Sequence, residues 1–217
     1  MTLASHLMRT PQQKIACFDL GGVVVRIRRT YPEMFAAAGI DDDRLAATDF
    51  HALSRAATAL GRQHQRGELD GARYLDRLAS LCEGLASAEE LERAHQSVII
   101  AEYPGITDEI RRLRGDGWRT ACLSNTNDLH WKSLLALPAL QAMDAHHASH
   151  LFGVEKPDAA IFRAFERAVN AKPEDIVLFD DLAENCAAAI GCGWNAVRID
   201  HEGDTAAQIR HACGASA

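Results

Sequence analysis

The 217-residue chain predicts an α/β fold, a three-layer sandwich with helices on both faces of a parallel sheet and a bundle of helices inserted after the first strand. Two observations carry that prediction. Beyond Tyr103, short apolar runs alternate with amphipathic segments, the pattern of strands buried on both faces between crossover helices. Between residues 28 and 100 the alternation stops, and three successive segments keep a helical period with no strand between them.

The first strand, Ile15-Ala16-Cys17-Phe18, delivers Asp19, then Gly21-Gly22 and the β-branched run Val23-Val24-Val25. Buried strands rarely end on a bare carboxylate, because desolvating an unpaired charge is costly. An Asp here, beside glycines that admit close approach, suits a metal- or phosphate-facing role; equally, it starts a tight turn. Arg26-Ile27-Arg28-Arg29 reads as one side of a solvated face. Leu45–Leu60, Gly71–Leu81 and Ala88–Val98 form the helical insertion, and Tyr103-Pro104-Gly105 returns the chain to the sheet. Residues 14–27 and 103–217 are thus expected to form the core, and 28–102 a helical cap.

After the return, Ile106–Leu113 reads as a helix, 119–123 as a strand ending at Ser124-Asn125, and Asp128–Leu137 as a helix stopped by Pro138. A weak strand at Ala145–Ser149 precedes a helix at Asp158–Val169 with Ile161, Phe162, Phe165 and Val169 on one face. A strand at 176–179, a helix at Leu182–Ile190, a strand at Asn195–Ile199 and a helix at Thr205–Ala212 complete the alternation. Ligands of such sheets gather at the carboxyl ends of the strands, where Asp19, Ser124 and Asp180-Asp181 each fall. His146-His147 is read as structural, because adjacent strand residues point to opposite faces.

Composition narrows the partners. A formal charge of −7 argues against general nucleic-acid binding. No apolar run is long enough to span a bilayer, and Met1–Lys14 reads as a loose tail without a signal peptide. Six cysteines without framework or CxxC spacing fit a reducing, cytoplasmic setting. Gly21-Gly22 lacks the GxGxxG spacing of a dinucleotide site.

Four blocks in this order resemble the haloacid dehalogenase superfamily: Phe18-Asp19-Leu20-Gly21-Gly22-Val23, Leu123-Ser124-Asn125-Thr126-Asn127, Gly153-Val154-Glu155-Lys156-Pro157-Asp158, and Leu178-Phe179-Asp180-Asp181-Leu182-Ala183-Glu184-Asn185. The resemblance implies a Rossmann-like core and a Mg²⁺-dependent phosphatase acting on a small phosphorylated metabolite. Within the superfamily the chain is similar to bacterial phosphatases of the α-glucose-1-phosphate type, in the Leu129-His130 that follows the second block and in the cap segment His64-Gln65-Arg66-Gly67-Glu68-Leu69. By that resemblance Asp19 is the nucleophile, and Asp19, the Gly21 carbonyl and Asp181 hold Mg²⁺. Asp180 supports the metal loop and Asn185 orients it. Ser124, Asn125, Gly22 and Lys156 meet the phosphate, and His64 and Arg66 meet substrate from the cap. The protein is expected as a monomer or homodimer.

One position departs from the family pattern. Most phosphatases of this type carry a second Asp two residues after the nucleophile as general acid and base; here Gly21 stands there. The loss of a positioned acid costs on the order of 10²–10⁴ in rate. Either the substrate has a good leaving group, such as an anomeric sugar phosphate or an acyl phosphate, or another group such as His64 supplies the proton. Two other readings stand beside the phosphatase: a 2-haloacid dehalogenase and a non-catalytic phosphometabolite-binding protein. Asp181-Leu182-Ala183-Glu184 also reads as a capping box, and Ser124-Asn125-Thr126-Asn127 as N-cap and turn chemistry.

Overall fold

A computed structural model describes residues 13–82 and 84–214, so most of the proposed N-terminal tail lies outside the described residues. Five parallel strands form the main sheet: β1 (Ile15–Phe18), β4 (Arg119–Ser124), β5 (Ala145–Ala148), β6 (Ile176–Asp180) and β7 (Asn195–Arg198), in the order β5-β4-β1-β6-β7. Their period-2 alternation separates two cores. Ala16, Phe18, Cys122 and Phe179 face one layer, built with α6 (Ile106–Gly115), α7 (Asp128–Leu135), α8 (Pro138–Gln141) and α12 (Thr205–Ala212). Ile15, Cys17, Leu123 and Leu178 face the other, covered by α10 (Ala159–Val169) and α11 (Ala183–Gly191). The short helix α9 (Ser149–Phe152) follows β5. His146 and His147 lie in β5 as structural groups: one imidazole bonds the Leu140 carbonyl at 2.6 Å, and the other stacks on Phe152.

The insertion carries more structure than its periodicity predicts. Five helices occupy it: α1 (Tyr31–Ala37), α2 (Asp42–Ala46), α3 (Phe50–Gln65), α4 (Gly71–Leu81) and α5 (Ala88–Gln96). α1 is announced by a complete capping box, Thr30 with Glu33, and α3 starts five residues later than the sequence period places it, at the Asp49 cap. Phe35, Leu53, Ala57, Leu60, Tyr74, Leu78 and Leu91 give these helices an apolar core of their own. A two-stranded antiparallel ribbon, β2 (Val25–Ile27) against β3 (Ile99–Glu102), joins the insertion to the sheet and was not legible in the sequence. The helix expected through Val98 ends at Gln96, because β-branched Ile99 and Ile100 open β3, which pairs with β2 instead. The boundary drawn between 102 and 103 therefore puts β3 on the cap side and its partner β2 on the core side.

Candidate active site

The parallel register sets the site. Phe18 pairs with Cys122 on one side and Phe179 on the other, so β1, β4 and β6 end together at one edge. The Asp19 N–H continues the ladder by donating to the Phe179 carbonyl at 2.8 Å, which brings Asp19 beside Asp180. The strand order reverses about β1, the position where α/β sheets open a crevice. Asp19, Asp180 and Asp181 are all buried, and one carboxylate oxygen of each lies within 4.8 Å of the others.

Lys156 holds two of these charges. Its Nζ lies 2.6 Å from Asp180 Oδ2 and 3.1 Å from Asp19 Oδ1, with the ammonium wholly enclosed. Burial works against that ammonium, but the two carboxylates outweigh it and shift its pKa upward. Burial likewise raises the Asp19 carboxyl to about 6, against the opposing pull of Lys156. Asp180 is saturated: Leu182 N–H donates to Oδ1 at 2.9 Å, and Asn185 Nδ2 reaches both oxygens at 3.0 and 3.1 Å. That arrangement answers the capping-box alternative. Asp180, not Asp181, bonds the backbone at the start of α11, and Asp181 is left facing the site.

Asp181 is met by a cation that sequence reasoning missed. Arg29 Nη2 donates to Asp181 Oδ2 at 2.7 Å, although Arg29 belongs to the basic run read as a solvated face. The ribbon is what folds it back, so the available signal was the β-branched pairing of 25–27 with 99–102. Gly22 lies beneath this contact with φ +87, and a Cβ there would stand 2.5 Å from both Arg29 Nη2 and Asp181 Oδ2. Three carboxylates thus face two cations, and buried Asp19 Oδ1 has the Lys156 ammonium as its one neighbour of opposite charge. Hard oxygen donors so placed fit a divalent cation.

The remaining residues fall into distinct places. Ser124 closes β4, buried, on the wall of a cavity of about 390 Å³ between sheet edge and insertion. Leu20 and Gly21 share that wall; the Asp19 side chain does not. Asn125 does not present its amide to a ligand as expected: Nδ2 donates to the Lys156 carbonyl and Oδ1 accepts from the Lys156 N–H, both at 2.8 Å. It positions the Lys156 loop. Arg66 is also turned away from the cavity wall, bonding Glu68 at 2.6 Å and Glu155 at 3.3 Å. Together with Arg62, 2.5 Å from Glu155, it ties the insertion to the residue before Lys156. His64 does line the cavity, but its Nε2 is held by Asp128 at 2.6 Å and desolvation lowers its pKa, which makes it a poor proton donor. Asp128 also accepts from the Gly71 N–H at 3.0 Å, a second junction between α7 and the insertion that the sequence did not reveal.

Among the described residues no helix is long and apolar enough to cross a membrane, and the six cysteines are free. The sequence profile of the haloacid dehalogenase-like hydrolases matches residues 13–193. A mouse protein, acyl-CoA dehydrogenase family member 10, is 28% identical over 141 residues, which is 62% of this chain and 13% of that protein. A phosphatase of Mycobacterium tuberculosis is 28% identical over 135 residues, 61% of this chain and 62% of that one. The chain therefore spans less than two thirds of either relative. A haloacid dehalogenase family enzyme of Bacteroides thetaiotaomicron, solved with magnesium and inorganic phosphate, shares the fold with a TM-score of 0.71 at 22% identity, covering 88% of this chain and 96% of the other. Sheet order, strand-end carboxylates and profile agree, and this chain belongs to the haloacid dehalogenase-like hydrolases.

Proposed function

We propose that the protein is a Mg²⁺-dependent phosphatase of small phosphorylated metabolites, with residues 28–102 acting as a cap over the site. The observation that carries this reading is the buried trio Asp19, Asp180 and Asp181 with Lys156 between two of its members. In it, Asp19 attacks phosphorus: a bond forms from its carboxylate oxygen, the bond to the leaving oxygen breaks, and water later releases phosphate. Asp19, the Gly21 carbonyl and Asp181 would hold Mg²⁺, which supplies charge neutralisation so that two anions can meet. Lys156 balances charge on Asp19 and on the phosphoryl oxygens, and Ser124 with the amides after it grips one of those oxygens. Asp180 and Asn185 fix the loop that carries Asp181, and Gly22 keeps its own position free of side chain.

A haloacid dehalogenase on the same scaffold is disfavoured by charge. Its substrate is a carboxylate, and three carboxylates gathered without a metal would repel it. A sugar phosphate is the substrate suggested by the resemblance; the cavity lining bears on that point below. The reading is tested by phosphate release from acetyl phosphate with Mg²⁺ and again with excess chelator. Release that stops with the chelator and returns with Mg²⁺ is expected. Chloride release from chloroacetate, indifferent to chelator and without phosphatase activity, would overturn it in favour of the dehalogenase.

A further inference from the structure

We propose, resting on the phosphatase reading, that the leaving group is a flat, unsaturated body with an acidic hydroxyl, as in an aryl or enol phosphate, and not a sugar. Two features of the cavity carry this. The first is a wall of rings. His64 stacks on Tyr74 with centroids 4.2 Å apart and planes 21° apart, and His95 stacks on His130 at 4.0 Å and 15°. Tyr74 and His95 join the two pairs at 5.4 Å. All four rings line the cavity, with Phe35 and Leu91 among its apolar neighbours.

The polar atoms of this wall are largely taken. His64 Nε2 is bound to Asp128, His130 Nε2 to the His95 carbonyl at 2.9 Å, and Asn127 Oδ1 to the His130 N–H at 3.1 Å. Asn125 is held by the Lys156 backbone. A polyol entering here would exchange water for ring faces along this wall and leave hydroxyls short of partners, with Gln65 and Thr126 the polar side chains of the lining still free to meet them. A planar unsaturated body meets those faces with no such loss.

The second feature is the absence of a proton donor. Among the described residues lining the cavity there is no carboxyl group. Arg28 and Arg29 keep their protons. Tyr31 and Tyr74 also line the cavity, and burial pushes both phenols upward, so that they hold their protons. The imidazoles are enclosed and driven toward the neutral form, His95 most of all. As the Asp19–phosphorus bond forms, the electron pair of the breaking bond must therefore leave on oxygen as an anion, to be protonated afterwards by solvent. A phenol, with a pKa of about 10, tolerates that departure. An aliphatic alkoxide, close in basicity to hydroxide, does not.

The test uses the unmodified protein with Mg²⁺ and measures kcat/KM for 1-naphthyl phosphate, glucose 1-phosphate, glucose 6-phosphate and acetyl phosphate. Naphthyl phosphate is expected to exceed both glucose phosphates by about tenfold or more, the equivalent of about 1.4 kcal/mol in the transition state. Either glucose phosphate within tenfold of it, or naphthyl phosphate inert beside active acetyl phosphate, would overturn the inference and leave the phosphatase reading standing. No phosphate from any of the four would show that the phosphatase reading itself fails, and the inference with it.

Discussion

At the scale of single residues, Lys156 decides whether the acidic edge is tolerable. Its ammonium is enclosed between Asp19 and Asp180. Truncating one partner of such a buried pair leaves the other charge uncompensated, so Lys156→Met is expected to lower unfolding free energy by about 3–5 kcal/mol in a denaturant titration. Lys156→Met with Asp180→Asn should cost less than the sum of the single changes, since both remove the same contact. An additive result would show that the pair is not coupled. Gly21 makes the complementary point. Its backbone lies outside the left-handed region, and a Cβ there meets only the flexible end of Ile27, Cδ1, at 2.8 Å. Gly21→Asp should therefore fold and place a carboxyl beside the leaving group. Turnover of glucose 6-phosphate is expected to rise about tenfold or more, part of the 10²–10⁴ that a positioned acid contributes. No rise in a well-folded variant would mean that the missing acid does not limit the reaction. Gly22→Ala should do the opposite, because its φ of +87 and the 2.5 Å approach to Arg29 and Asp181 leave no room for a methyl group.

At the scale of elements, α3, α4, α5 and α7 contribute the two ring pairs, of which His95 on His130 joins the insertion to the core. Their imidazoles are held neutral: desolvation pushes His95 down to about 3, and His64 and His130 shift the same way. The unfolded chain, with ordinary histidines near 6.5, binds more protons between those two values. Stability is thus complete above about pH 6.5 and falls as pH drops toward 3, by up to about 1.4 kcal/mol per pH unit for each such group. Thermal melting at pH 7 and pH 5 should show this decline, and His95→Phe should reduce it. A melting temperature flat across that interval would contradict the neutral cluster.

At the scale of the whole molecule, the sequence exposed what depends on local pattern. Alternating apolar runs gave the parallel sheet, and Asp19, Ser124, Asp180 and Asp181 were visible as polar residues that follow those runs, whereas Lys156 stood out only through the resemblance of its block to the family. What it hid depends on contacts between distant segments. The β2–β3 ribbon needs a pairing across more than seventy residues, and without it Arg29 reads as surface charge. Asn125 and Arg66 read as ligand-binding groups because their side chains suit that task. Only the fold shows that Lys156 and Glu155 already occupy them. The ring wall was equally unreadable, since its members come from three parts of the chain.

The proposed mechanism puts the phosphoryl acceptor at one carboxylate, and Asp19→Asn tests that claim most directly. The variant keeps the side-chain volume and, with Asp180 intact, a partner for Lys156. Phosphate release from acetyl phosphate with Mg²⁺ is expected to fall by about 10³-fold or more while the melting transition persists. Turnover within tenfold of the unmodified protein would contradict Asp19 as the nucleophile.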